Sequence, residues 1–380
     1  MARTVSIDPI TRIEGHLAIR IEVESNRVAN AFSSGEMFRG FEVILRGRDP
    51  LDAQQITQRI CGVCPISHGT ASILAQDMAC NVTPTTNGRL VRNLILGANF
   101  LQSHIIHFYH LSALDFVDIA AITQYQGNDP ALRDLKGWVQ AQLASNTVYP
   151  AAPFLPRYDA RYLEDTGTNI LAIKHYLDAL EMRAIAHQMV ATFGAKAPHA
   201  TALVPGGVTE HVTVDKIAAF RSKLEKLQTF INDCYLADIE ALAGAFPEYL
   251  HLGKGCGNFL AYGVFRESAD RNATFLPSGV LVGGRMTPFD EGRITEDVRY
   301  SLFSSQSGLP PASGETVPSP RKSGAYSWLK APRYNGTVME VGPLARMLVA
   351  YQRGTPRSAK QLIDSFATRL GISLDMLDSV

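Results

Sequence analysis

The 380 residues are 46% hydrophobic and 19% charged, with a formal net charge of zero, a composition typical of a globular protein with enough apolar material for a large core. The charge balance gives no electrostatic reason to expect nucleic acid as a partner, and the five cysteines lack the spacing of a disulfide scaffold. No apolar run approaches the roughly 18 residues that span a bilayer, and residues 1–9 lack a signal-peptide core, so we expect neither an export signal nor a transmembrane segment.

The N-terminal residues have the pattern of a β-hairpin. Residues 16–24 alternate apolar and polar side chains, and a two-residue turn leads into residues 27–33 as a returning strand. A charged stretch that includes Glu14 precedes the hairpin. On the residues alone, the favoured interpretation of Glu14 is a surface ion pair with Arg12 or Arg20.

A second carboxylate, Glu42, leads into a short apolar run. It precedes Arg46 by four residues, a spacing that predicts an ion pair along one face of a helix. The alternative is an inward-facing carboxylate that binds a hard cation such as magnesium. The local sequence is compatible with both interpretations.

The most compact set of potential ligands is C-G-V-C at residues 61–64, followed by His68. Proline is favoured at the first helical position, so Pro65 predicts a helix with Cys64 as its N-cap. The positive dipole end of such a helix favours thiolates, the form of cysteine that binds metal. Helical spacing brings His68 within reach of the Cys64 sulfur. Residues 52–60 have helical spacing, which argues against a thioredoxin-type dithiol because that motif follows a strand.

The spacing of these residues is equally compatible with a metal site and with buried, inert cysteines. A structural zinc site needs two ligands besides the cysteine pair. Cys80 is the only other cysteine nearby, which gives an irregular candidate site of Cys61, Cys64, His68 and Cys80.

Long helical patterns dominate the rest of the chain. Three runs have apolar residues at spacings of three and four: residues 89–116, 169–193 and 213–246. Thr213 is a plausible N-cap of the third. In the first run, His104, His107 and His110 have no carboxylate on their face, so we interpret them as packed or interface histidines.

The Gly- and Pro-rich residues 194–208 predict a tight loop between the second and third helices, and residues 252–285 predict short strands. The expected fold is therefore mainly α with a smaller β part (α+β). We expect an N-terminal β element packed on a core of long helices, in a single domain over residues 1–380.

In this order, the motifs resemble the large subunit of nickel–iron hydrogenases over nearly the whole chain. The matching stretches are His68 and residues 12–16 (RIEGH), 35–42, 59–64 (RICGVC), 193–207, 258–260 (NFL), 328–334 (WLKAPRY) and 340–346 (EVGPLAR). The resemblance implies reversible heterolytic cleavage of dihydrogen.

The resemblance also implies roles for individual residues. Cys61 would be a terminal thiolate on nickel, and Cys64 would bridge nickel and an iron that carries diatomic ligands. His68 would hydrogen-bond the bridging sulfur. Glu14 would be the first carboxylate of a proton exit path, and Glu42 a ligand of magnesium.

The resemblance further implies partners. A single C-x-x-C offers no iron–sulfur cluster site, so electrons would pass to an iron–sulfur small subunit in a heterodimer. Maturation proteins would supply the ligands of the iron. We expect a periplasmic or membrane-associated location through the small subunit, in preference to a cytoplasmic one.

The sequence also departs from the family. The family completes its nickel site with a D-P-C-x-x-C-x-x-H motif and an upstream P-R-G motif, neither of which occurs in these 380 residues. Arg333 belongs to a different match, so we do not expect it to be catalytic. In addition, Ser373 predicts the N-cap of a new helix, and the sequence stops at Val380, within about the second turn of that helix. We therefore expect a fragment of a longer chain that by itself binds nickel weakly and evolves no dihydrogen.

Two rival interpretations follow from these residues. One is a non-catalytic relative that acts as a scaffold subunit of a redox complex. Such relatives lack the cysteines, so Cys61 and Cys64 argue against it. The other is a structural protein stabilised by zinc at the irregular site that includes Cys80.

Overall fold

The computed structural model describes residues 3–145 and 161–372. The contacts of the chain cluster into two compact units. Unit 1 comprises Met1–Asp49 and His251–Val380, and unit 2 comprises Pro50–Leu250. The helix predicted after Ser373 lies outside the described residues.

Unit 1 begins with a three-stranded antiparallel sheet in the order β1-β2-β3. Its strands are β1 (Arg3–Ile7), β2 (Leu17–Glu24) and β3 (Arg27–Gly35). The predicted hairpin of β2 and β3 is confirmed. Ser25 and Asn26 have φ angles of 49° and 60°, the left-handed conformation typical of two-residue hairpin turns. The one-turn helix α1 (Phe41–Ile44) follows.

The described part of unit 2 consists mainly of helices. They are α2 (Asp52–Thr57), α3 (Pro65–Ala79), α4 (Thr86–Ile105), α5 (Pro130–Ser145), α6 (Thr166–Gly194), α7 (Val214–Phe230) and α8 (Leu236–Ala245). A small hairpin is formed by β4 (Leu203–Val204) and β5 (Gly207–Val208). Two π-helical segments, Ile106–Ser112 and Ile231–Tyr235, respectively continue α4 and join α7 to α8.

The three predicted long helices are confirmed as α4, α6 and the α7–α8 pair. Thr213 caps α7 as predicted, because its side chain accepts a hydrogen bond from the N–H of Lys216. α4 packs along α6, and α6 along α7. Ile95 and Ile105 of α4 are completely buried, and Ile173 of α6 is completely buried in a separate cluster that includes Ile119 and Ile122. Apolar burial of this kind is the main stabilising term of the bundle.

The rest of unit 1 contains short strands, as predicted from the sequence beyond residue 252. They are β6 (Phe259–Ala261), β7 (Val264–Arg266), β8 (Thr274–Leu276), β9 (Gly279–Val282), β10 (Arg285–Thr287), β11 (Ile294–Asp297) and β12 (Ala331–Tyr334). The strands form three small antiparallel sheets, β10-β9-β6, β11-β12 and β7-β8. The chain continues into α9 (Pro343–Arg353), which packs on β6, and α10 (Arg357–Leu370).

The predicted α+β class is confirmed by these helices and small antiparallel sheets. The single domain over residues 1–380 and the packing of the N-terminal β element on the long helices stay predictions. No helix in the described ranges is long and apolar enough to cross a membrane.

Candidate metal centre

The two cysteines of the C-G-V-C motif meet in a turn that ends at a helix N-terminus. As predicted, α3 begins at Pro65 with Cys64 as its N-cap. Cys61 has an extended backbone, and its Sγ accepts a hydrogen bond from the N–H of Cys64 at 3.3 Å. Both cysteines are half-buried. Two soft sulfur donors thus lie beside the positive end of a helix dipole, an environment suited to anionic metal ligands.

His68 stands in the first turn of α3, one helical turn after Cys64, and is half-buried. Within residues 3–145 and 161–372, no three His, Cys, Asp or Glu side chains are grouped closely enough to hold a metal ion. The two thiols can therefore supply one part of the donor set of a metal centre, and soft thiolate donors suit a transition metal.

The zinc site that would include Cys80 is wrong. Cys80 is the C-cap of α3, at the opposite end from Cys64. At a rise of 1.5 Å per residue, the 16 residue steps from Cys64 to Cys80 separate the two positions by about 24 Å. Ligands of one zinc ion lie within a few ångströms of each other, so the intact helix excludes this set.

The 194–208 loop lies against the segment that leads into the cysteine motif. The carbonyl oxygen of Ala200 accepts hydrogen bonds from Gln54 Nε2 at 2.9 Å and from Gln58 Nε2 at 2.8 Å. Burial, with the nearby charges of Arg59 and Lys196, lowers the pKa of His199 in this loop. The sequence offered no signal for the glutamine contacts, because they join residues far apart in the chain.

The other end of α3 carries a buried ion pair that the sequence also did not reveal. Arg92 of α4 binds Asp77 of α3 through Nη1–Oδ2 at 2.6 Å and Nη2–Oδ1 at 3.2 Å. Arg92 Nε donates to the carbonyl of Gly207 at 2.9 Å, and the N–H of Gly206 donates to Asp77 at 2.8 Å. The pair thus fixes the β4–β5 hairpin to α3.

Glu42 lies in the first turn of α1 in unit 1 and is exposed. The predicted ion pair of Glu42 with Arg46 is wrong, because Arg46 Nη1 binds Glu315 at 2.7 Å instead. Glu42 lines a cavity of about 360 Å³ together with Glu296 and Lys330. Glu296 binds Lys330 Nζ at 2.7 Å, so Glu42 is the carboxylate that this cavity offers to a hard cation, which prefers oxygen ligands.

Glu14 is also exposed and lies between β1 and β2. The predicted pairing with Arg20 is wrong, because Arg20 binds Glu22 at 2.9 Å and its guanidinium lies 3.9 Å from the ring centroid of Phe32. Glu14 and Glu42 thus belong to unit 1, and the three remaining predicted site residues, Cys61, Cys64 and His68, belong to unit 2.

The helix histidines do not form a metal site. His104 and His107 are exposed, while the ring of His110 packs edge-on against Tyr176 at 4.7 Å between centroids. Burial, together with the Arg183 charge, lowers the pKa of His110 to about 4. The interpretation of His110 as a packed histidine is therefore confirmed.

A buried polar chain crosses the helices of unit 2. Tyr109 OH donates to Asp238 Oδ2 at 2.6 Å, and His175 Nδ1 lies 2.8 Å from the same oxygen. Tyr109 belongs to the first π-helical segment, and Asp238 follows the second by one turn. Burial and the bond to Asp238 raise the pKa of Tyr109 above its usual value, so the phenol is the hydrogen donor.

Comparison with known proteins identifies the family. The family model described as nickel-dependent hydrogenase matches residues 39–380. The chain belongs to this family. A second model, described as HoxL-like, matches residues 4–34. Nickel is thus the metal of the family, which agrees with the proposed use of the Cys61–Cys64 turn.

Relatives of the chain are hydrogenase large subunits. The periplasmic [NiFeSe] hydrogenase large subunit of Desulfomicrobium baculatum is 45% identical over 369 residues, covering 94% of this chain and 66% of the relative. The hydrogenase-2 large chain of Escherichia coli K12 is 33% identical over 408 residues, covering 95% of this chain and 70% of the relative. The chain thus spans about two thirds of the length of these relatives.

Solved structures of the family share the fold. The Ni-Fe-Se hydrogenase from D. vulgaris Hildenborough in the reduced state superposes with a TM-score of 0.80 at 43% identity, covering 92% of this chain and 67% of that one. The [NiFeSe] hydrogenase of Dm. baculatum superposes with the same TM-score of 0.80 at 45% identity, covering 92% of this chain and 68% of that one. These matches extend the similarity from sequence to backbone structure.

Proposed function

We propose that the chain is the catalytic large subunit of a nickel–iron hydrogenase, which reversibly cleaves dihydrogen into protons and electrons. Family membership and relatives named as hydrogenase large subunits support the proposal. The observation that carries it is the turn at the start of α3, where the sulfurs of Cys61 and Cys64 lie beside a helix N-terminus.

In this proposal the sulfurs of Cys61 and Cys64 would hold a nickel–iron centre, with Cys61 as a ligand of nickel and Cys64 as a ligand of both metals. When bound, the centre supplies a Lewis acid that polarises dihydrogen. The Cys61 sulfur would be the base for the proton, and Glu14 would be the first carboxylate of the proton exit path. His68 hydrogen-bonds the Cys64 sulfur and so adjusts its charge.

We assign a magnesium ion to Glu42. The cavity that Glu42 lines supports this assignment, because magnesium often keeps several waters and binds through one or two carboxylates. Exchange of Glu42 for Gln should reduce the magnesium content of the purified protein. An unchanged magnesium content in that variant would contradict the assignment.

The proposed partner is a small subunit whose iron–sulfur clusters take the electrons, since one C-x-x-C motif cannot hold such a cluster. Maturation proteins would supply the ligands of the iron. We propose a periplasmic or membrane-associated location through the small subunit, with a cytoplasmic location as the alternative; the name of the Desulfomicrobium relative places that protein in the periplasm.

We also propose that residues 1–380 fold as one domain, and release of unit 2 as an intact fragment in limited proteolysis would contradict this.

Because residues 1–380 lack the second cysteine motif, the function is tested by metal analysis of the full-length protein, purified anaerobically with its partner subunit. We expect nickel together with iron, and exchange of deuterium gas with water protons. Cys61→Ser and Cys64→Ser should each lose the nickel and the exchange activity. Cys80→Ser is the matched control, because Cys80 is an exposed thiol at the far end of α3. Zinc alone, or nickel retained in both of the first variants, would contradict the proposal.

A further inference from the structure

Two buried glutamines connect the cysteine turn to the 194–208 loop. Gln54 lies in α2, and Gln58 begins the 3-10 turn that leads directly into Cys61. Their side-chain amides share the carbonyl oxygen of Ala200, and the two residues are only 3% and 0% exposed. A buried hydrogen bond of this kind is costly to leave unmade, so both side chains are fixed in place.

Gln58 is also enclosed from the side of α3. A Cβ atom placed on Gly69 would lie 3.0 Å from Gln58 Cγ and 3.1 Å from its Cδ. Gly69 directly follows His68 in the first turns of α3. The side chain of Gln58 therefore fills the space between the start of α3 and Ala200, and its position depends on the absence of a side chain at residue 69.

The same loop is fixed at the far end of α3. Gly206 donates its N–H to Asp77, and Gly207 accepts a hydrogen bond from Arg92. The 194–208 loop is thus anchored near both ends of the helix that carries Cys64. Movement of Ala200 relative to this helix is restricted, so Gln58 binds a fixed acceptor.

We infer that Gln58 is a positioning residue for the Cys61–Cys64 turn. Through its hydrogen bond to Ala200, it fixes the backbone that enters Cys61 and so pre-organises the two sulfurs for one metal ion. The inference rests on the proposed function, because it concerns the two proposed nickel ligands. A pre-organised ligand set binds more tightly, since less conformational freedom is lost on binding.

Titration of the 380-residue chain with Ni²⁺ tests the inference, with the sulfur-to-nickel charge-transfer absorption as the signal. Gln58→Met keeps the length of the side chain but removes the donor. We expect about tenfold weaker binding, the scale of one buried hydrogen bond, and a shift of the absorption bands. Gln76→Met is the matched control, because Gln76 is buried in α3 and donates only to Ser72 within the same helix.

A second variant perturbs Gln58 without removing any donor. Gly69→Ala should displace the Gln58 side chain and also weaken Ni²⁺ binding and shift the bands. Its thermal stability should fall less than that of Gln58→Met, because the donor is kept and alanine favours the helix more than glycine does. If Gln58→Met fails to fold, the Ni²⁺ affinity and absorption bands of Gly69→Ala test the positioning role by themselves.

The outcomes distinguish a failure of the positioning role of Gln58 from a failure of the proposed ligands Cys61 and Cys64. Binding and absorption bands in Gln58→Met and Gly69→Ala that equal those of Gln76→Met would overturn the positioning role. A wild-type nickel signal that survives both Cys61→Ser and Cys64→Ser would instead overturn the proposed ligands.

Discussion

The ion pair between Asp77 and Arg92 gives the sharpest prediction for stability. The two side chains are only 4% and 8% exposed. Arg92→Met removes both bonds to the carboxylate and the bonds to the carbonyls of Val204 and Gly207. The carboxylate of Asp77 would remain buried with the N–H of Gly206 as its donor.

The cost follows from these groups. Each stranded carbonyl costs about 1 kcal/mol, and a buried charge without its partner raises the total loss in the free energy of unfolding to about 3–5 kcal/mol. Asp77→Asn should cost a similar amount because it leaves the guanidinium buried. The double variant should lose about 2 kcal/mol less than the sum of the two single variants, because neither charge remains.

Urea unfolding followed by circular dichroism measures these free energies. Lys174→Met is the matched control, because it breaks a half-exposed pair with Asp178 within α6. We expect a loss of about 0.5 kcal/mol or less in the control. A loss in Arg92→Met no larger than in the control would refute the reasoning, as would simple additivity in the double variant.

Two further predictions concern the buried groups of unit 2. Burial beside Arg183 lowers the pKa of His110 to about 4 from its ordinary 6.5. Below pH 6.5 the unfolded chain therefore takes up a proton that the folded chain does not, and stability falls as the pH drops towards 4. His110→Phe should show a smaller fall when urea midpoints at pH 7 and pH 4.5 are compared, and an equal fall would contradict this. Tyr109→Phe removes a hydrogen bond to the buried carboxylate of Asp238 and should lower the free energy of unfolding by about 1.5–3 kcal/mol. Urea unfolding of the variant and the wild type measures this loss. A change below about 0.5 kcal/mol, the scale of neutral surface substitutions, would contradict the prediction.

Local chemistry explains what the sequence predicted well. Pro65 predicted the start of α3, and Thr213 predicted the cap of α7, because both signals act within one helical turn. The turn at Ser25 and Asn26 was likewise visible, since few residues adopt positive φ angles readily. These features need no knowledge of the rest of the chain.

Ion pairs were predicted poorly for the opposite reason. The spacing of Glu42 and Arg46 indicated a helical pair, yet α1 ends at Ile44 and Arg46 turns to Glu315. An arginine can reach many carboxylates, and an exposed pair contributes little energy. Spacing along the sequence therefore has little power to select the partner when a distant carboxylate lies closer in the fold.

The cysteine turn shows how local and distant information combine at the candidate site. Residues 61–65 contain enough local signal to place two sulfurs at the start of α3. Nothing local indicates that Gln58 binds Ala200, 142 residues away. Glutamine has no periodic or capping signature in this position, so the contact appears only once the loop and helix are folded together. The placement of the two sulfurs at the start of α3 was therefore readable from the sequence, whereas the contact between Gln58 and Ala200 required the structure.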